Sequence, residues 1–284
     1  KNNNYPFKLL QRYDSSVLVS KKNEILELSY SEINGYNVSN RVYNKDNFFY
    51  KSIQSGTKSL IMNPLYGVDY ITDEFGFNHG RRTLNFPVYE TEYNPISRKL
   101  YLYNRLSADN TGFYIYDLES EQLEGFVECE KAIGDLAFNP INNHILVSEY
   151  ARDRGNGVII NIYDGISGEY ISNISVSGNE YASEIFISPL GKIYVAMNMK
   201  NDETVPKISI FDSKYYLKIG EDINTAIPIS DSIYNSNGYQ MHFCYNDLNS
   251  KVYLTVGPTN NVPPPYYSSS NSIVRLKSDP TDHQ

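Results

Sequence analysis

The chain has 284 residues, with 25 Lys and Arg against 33 Asp and Glu, for a formal charge of −8. With 40% hydrophobic and 20% charged residues it has enough apolar material to fold. The acidic balance gives no general attraction for phosphate backbones or anionic lipid, so nucleic acid is not an expected partner. No apolar run approaches the roughly 20 residues of a membrane helix. Two cysteines, Cys129 and Cys244, cannot make a disulfide framework, and a single bridge forms only if the fold brings them together. The first residue is Lys rather than Met, which fits removal of a leader, a preceding domain or a tag.

In chain order, Pro6–Tyr13 reads as a strand. A strand group follows from Ser16 to Tyr43, with a tight turn at Lys22-Asn23. SLIMNPLYGVDYIT from Ser59 gives strand, Asn-Pro turn, strand. Three longer stretches then superimpose, starting at Tyr89, Ala132 and Tyr181. Each begins with a short alternating run and turns at Asn-Pro or Ser-Pro. An apolar strand follows (Lys99–Tyr103, His144–Ser148, Lys192–Met197), then a polar loop and a strand ending in aromatic-Asp at Asp117, Asp164 and Asp212. Turn proline and strand-end aspartate are 22, 24 and 23 residues apart, and successive prolines 45 and 49. YQMHFCYNDLNSKVYLTV from Tyr239 repeats the first two strands, and Ser272–Lys277 supplies a third. Residues 279–284 read as a flexible tail.

Short strands with period-2 alternation, punctuated by turns, predict an all-β fold. Four strands in about 45 residues make one antiparallel propeller blade, and 284 residues accommodate six, with seven as the alternative. The last copy lacks a fourth strand after Lys277. The N-terminal strand is expected to provide it, closing the ring and removing exposed edges. The expectation is one propeller domain over residues 1–284.

This order of strand, Asn-Pro, strand, loop and aromatic-Asp, over Tyr89–Lys277, resembles the YVTN surface-layer type of bacterial and archaeal β-propeller and, more distantly, the NHL repeat. The Tyr-Val-Thr-Asn signature is echoed as YLYN, ILVS, YVAM and YLTV. The resemblance implies a six- or seven-bladed disc used mostly for protein or ligand binding. It also implies a minority of relatives that are lactonases, lyases or other hydrolases.

Two candidate sites follow from blade geometry. The connections between second and third strands are long, polar and different in each copy, and variable loops on a rigid frame are where binding residues concentrate. Arg105, Arg152, Arg154, Tyr266 and Tyr267 lie in these connections, and Arg and Tyr are favoured interface anchors. Their ligand is expected to be a protein, a small molecule or a glycan. The competing reading of such loops is a solvated polar surface. The second site is one register position of the first strand, which carries Glu90, Asp135, Glu184 and His242 in consecutive copies. Four such groups converging on an axis can hold a divalent cation, the only candidate cofactor, and support a metal-assisted, lactonase-like hydrolase. The structural alternative is that the acids accept hydrogen bonds from neighbouring strand backbone. No G-x-S-x-G, P-loop, HExxH or CxxC pattern occurs. The reading is therefore a noncatalytic binding module, extracellular or on a cell surface, of a kind that can form one part of a larger protein.

Overall fold

A computed structural model describes residues 8–12, 16–21, 24–31, 35–43, 51–55, 58–63, 68–73, 76–83, 90–103, 111–120, 122–149, 158–176, 180–199, 207–224, 239–246, 250–258 and 272–276. Over residues 8–90, and at 158, 180–183, 198–199, 239–242, 246, 255–258 and 272–276, the description extends to the backbone alone. Among the described residues every regular element is a strand, and no helix is long and apolar enough to cross a membrane.

Among the described residues the strands form six antiparallel sheets, each built from consecutive strands in chain order. The first contains β1 (Lys8–Arg12), β2 (Ser16–Lys21), β3 (Glu24–Ser31) and β4 (Gly35–Tyr43). The second contains β5 (Lys51–Ser55), β6 (Lys58–Asn63), β7 (Val68–Asp73) and β8 (Gly76–Thr83), and the third β9 (Glu90–Asn94), β10 (Lys99–Tyr103), β11 (Gly112–Asp117) and β12 (Gln122–Glu128). The fourth has β13 (Ile133–Asn139), β14 (His144–Glu149), β15 (Val158–Asp164) and β16 (Tyr170–Val176). The fifth has β17 (Glu180–Ile187), β18 (Lys192–Met199), β19 (Lys207–Asp212) and the short β20 (Ile223–Asn224). The sixth has β21 (Tyr239–Asn246), β22 (Lys251–Pro258) and β23 (Ser272–Leu276).

Two expectations are corrected. The N-terminal strand pairs with its own neighbour, Lys8 opposite Ser20 and Arg12 opposite Val17, and not with the last sheet, which has three strands among the described residues. A hairpin between strands separated by three residues closes a much smaller loop than a pairing across the whole chain. The strand that holds Ser59, β6, is the second of its sheet and not the first. The Asn63-Pro64 pair follows the second strand there, whereas Asn94-Pro95 follows the first. Asn-Pro favours any turn and does not say which pair of strands it joins.

The chain packs as two compact units, residues 1–104 with 113–126, and residues 105–112 with 127–284. In the second unit the alternation of each strand supplies two apolar faces. On β18, Ile193, Val195 and Met197 join Leu146, Ile160, Ile162 and Ile174 of the fourth sheet. The intervening Tyr194 and Ala196 pack with Ile208 and Ile210 and with Val252 and Leu254 of the sixth sheet. The fifth sheet is therefore buried on both faces, which is why KIYVAM reads as an almost unbroken apolar run instead of a polar–apolar alternation. Burying each aliphatic side chain this way contributes roughly 1.5–3 kcal/mol. Outer strands differ: β16 exposes Tyr170, Ile171, Ser172, Asn173 and Ser175, and buries only Ile174 and Val176.

The repeated turn residues act by local hydrogen bonding. Asn94 Oδ1 accepts the Ile96 and Ser97 amides at 2.9 and 3.1 Å, and Asn139 Oδ1 accepts the Ile141 amide at 3.1 Å. The strand-end aspartates do the same in the third-to-fourth hairpins. Asp117 accepts Glu119 and Ser120 at 2.8 and 2.6 Å, Asp164 accepts Ile166 and Ser167 at 2.9 and 2.8 Å, and Asp212 accepts Lys214 and Tyr215 at 2.9 and 2.7 Å. These are Asx turns, in which a short side chain imitates the backbone and sets the reversal.

Candidate functional site

The second-to-third connections lie where the sequence puts them, between β10 and β11, β14 and β15, β18 and β19, and β22 and β23. Arg105, Arg152, Arg154, Tyr266 and Tyr267 all fall outside the described residues. Glu149, the last residue of β14, is buried; its Oε1 accepts the Glu130 amide at 3.2 Å and an Asn161 Nδ2 hydrogen at 2.9 Å. Burial pushes its carboxyl above the usual range, against the pull of those donors. Beside it, Tyr163 donates its hydroxyl toward Cys129 Sγ at 3.7 Å. Burial raises the Cys129 thiol to about 11, so it is no nucleophile at neutral pH. Cys129 is buried and Cys244 exposed, and neither is bridged.

The first-strand acids are placed in a definite way. Asp135 and Glu184 each follow a bulge: pairing with the second strand slips between Ile133 and Asp135, and again between Ala182 and Glu184. A bulge re-aims the side chain after it. Asp135 Oδ2 accepts the Ile185 amide at 2.5 Å, and Glu184 Oε1 accepts the Phe243 amide at 2.9 Å. Ile185 immediately follows Glu184, and Phe243 immediately follows His242. Each acid thus accepts from the first strand of the next sheet, one residue beyond its own counterpart. Glu90 and His242 occupy the matching backbone positions, opposite Tyr103 and Thr255 and without a bulge; their side chains lie outside the described residues. Among the described residues no three His, Cys, Asp or Glu side chains gather as a metal site.

A further polar cluster has no counterpart in the sequence reading. Tyr216 Oη lies 2.8 Å from His144 Nδ1 and receives the side-chain amides of Asn139 and Asn142, both at 3.2 Å. Asn139 Nδ2 also donates to the Ser213 carbonyl at 2.6 Å, and Asn142 Nδ2 to the Ser213 and Lys214 carbonyls at 3.2 and 3.0 Å. The cluster joins the β13–β14 turn to the β19 turn of the next sheet. One signal for it exists in the sequence. Four residues after the strand-end aspartate stands Gly168 in one copy and Tyr216 in the next, both at positive φ (75° and 61°). A tyrosine in a glycine's conformation needs a reason.

No family model matches the sequence, and no curated protein matches it. Solved structures do resemble it. Hydrazine synthase of Kuenenia stuttgartiensis superimposes with a TM-score of 0.61 at 14% identity, over 86% of this chain and 67% of that one. The WD40 domain of Toxoplasma gondii coronin gives 0.60 at 8% identity, over 93% and 65%. The Cps50 (Swd1) β-propeller domain of Myceliophteria thermophila gives 0.59 at 11% identity, over 90% and 80%. The chain therefore spans about two thirds of the first two. Together with the successive antiparallel sheets, these likenesses define the fold as that of a β-propeller.

Proposed function

We propose that this chain is a noncatalytic, six-bladed propeller module of the YVTN/NHL kind, secreted or displayed at a cell surface. It recognises a protein partner through the second-to-third connections, with Arg105, Arg152, Arg154, Tyr266 and Tyr267 as anchors. The observation that carries this reading is an asymmetry, in the third to sixth sheets, between the connections that follow the first strand and those that follow the second. Turns 95–98, 140–143, 165–169 and 188–191 are short, and the first three begin just after an Asn or Asp cap. Connections 104–111, 150–157, 200–206 and 259–271 are longer and unlike one another. Conserving one set of turns holds the frame, while variation in the other set is free to serve recognition. The engagement of Asp135 and Glu184 with backbone amides favours a structural role for those acids over a metal-assisted hydrolase. The test uses a partner captured by cross-linking to the native protein and then purified. Replacing Arg152 and Arg154 with Ala is expected to raise its Kd about tenfold or more, the scale of an interface anchor. Unchanged affinity in that variant and in the Tyr266→Ala, Tyr267→Ala variant would remove the reading.

A further inference from the structure

The hydrogen-bond stoichiometry around Tyr216 dictates a protonation state. Asn139 Oδ1 accepts the Ile141 amide, so the group facing Tyr216 and Ser213 is the Asn139 NH2. Asn142 faces two carbonyl oxygens, which only its NH2 can satisfy. Asn139 gives its second amide hydrogen to Tyr216 Oη, the two Asn142 hydrogens are shared among the Ser213 and Lys214 carbonyls and Tyr216 Oη, and the Tyr216 proton finds no acceptor on either amide nitrogen. The remaining neighbour is His144 Nδ1 at 2.8 Å, which must accept. His144 is then the neutral tautomer carrying its proton on Nε2, its ring stacked on that of Tyr216 at 6.0 Å between centroids.

We propose that this cluster is a proton-operated latch between the fourth and fifth sheets, shut while His144 Nδ1 holds a lone pair and released when that atom takes a proton. The imidazolium would point an N–H at the hydroxyl whose own proton was aimed at Nδ1, so donor would face donor and Tyr216 would lose its acceptor. The groups around His144 work in opposite directions. Burial disfavours the cation, while Asp164, its register partner on β15, favours it. Asn139 and Asn142 on its own hairpin, and Tyr216 on the facing turn, are uncharged. Burial wins, and His144 titrates below the ordinary value of about 6.5. Its contribution to stability is complete above the unfolded-state value and is lost as pH falls through the folded one. The positive φ of Tyr216 adds a second argument: without the latch, a glycine such as Gly168 would suit that position better.

Nitrogen-15 NMR of the full chain decides the matter, with the His144 signals assigned through the His144→Gln variant. At neutral pH the imidazole should show the Nε2–H tautomer. On acidification the amides of Ser213–Tyr216 should shift with the same midpoint as His144. In His144→Gln the side-chain carbonyl accepts the Tyr216 hydroxyl without titrating, so those amides should hold still over the same range. In Tyr216→Phe the His144 midpoint should rise. An Nδ1–H tautomer, or turn amides that ignore the His144 titration, would overturn the latch. The wild-type measurement stands even if a variant does not fold.

Discussion

At the scale of single residues, Asn and Asp at strand ends do more for this fold than their polarity suggests. Asp164 accepts two backbone amides and the Ser167 hydroxyl within one turn. Losing those bonds in Asp164→Ala should lower the unfolding free energy by about 1–2 kcal/mol, while Asp164→Asn, which keeps the acceptor, should stay within ~0.5 kcal/mol. Urea denaturation of both variants checks this. The pH dependence has a definite sign. The Ser120 and Ser167 amides hold the Asp117 and Asp164 carboxyls below the usual carboxylate range. The stability they confer is present above an unfolded value near 3.9 and lost as pH falls through the lower folded values. The aspartates were legible as the mark closing each repeat, because turn chemistry is local. Tyr216 was not, because its partners Asn139, Asn142 and His144 stand more than 70 residues away.

At the scale of elements, the two first-strand acids show how far register can be read from letters. Counting back from the turn finds the position, yet the direction of the side chain depends on a bulge one residue earlier. That bulge falls at Gly134 in one copy and Ser183 in the other, so no single residue type announces it. Asp135→Ala should cost roughly 1–3 kcal/mol by leaving the Ile185 amide without its carboxylate, and Glu184→Ala a comparable amount through Phe243. Asp135→Asn, which keeps an acceptor for the Ile185 amide, should recover much of the loss. Thermal unfolding with and without a chelator accompanies these variants. A melting temperature that drops on chelation in the wild type, and not in Asp135→Ala, would reinstate a metal at this position. The second sheet teaches a related lesson: Asn63-Pro64 marks a turn, but only strand order reveals that it follows a second strand instead of a first.

At the scale of the molecule, sheets packed on both faces make access a measure of folding. Cys129 is 3% exposed and its thiol is raised to about 11, whereas Cys244 is exposed. A thiol reagent at pH 8 should label Cys244 at once, and Cys129 only as fast as the second unit opens. Rapid labelling of both would show that the contact between Cys129 and Tyr163 of β15 opens without unfolding. The cysteines alone could not have predicted this contrast, since burial follows from the neighbours of a strand and not from its own composition.

By itself the sequence determined what depends on nearest neighbours along the chain: strands of period 2, the Asn and Asp that reverse them, the grouping of four strands into repeated units, and the long connections after Tyr103, Glu149, Met199 and Pro258. Only the tertiary structure decided which strand pairs with which, where a bulge turns a carboxylate toward the next sheet, and which distant side chains meet at Tyr216. Those outcomes follow from hydrogen bonds and buried faces shared between sheets, and such partners carry no fixed spacing in the chain for a reader to follow.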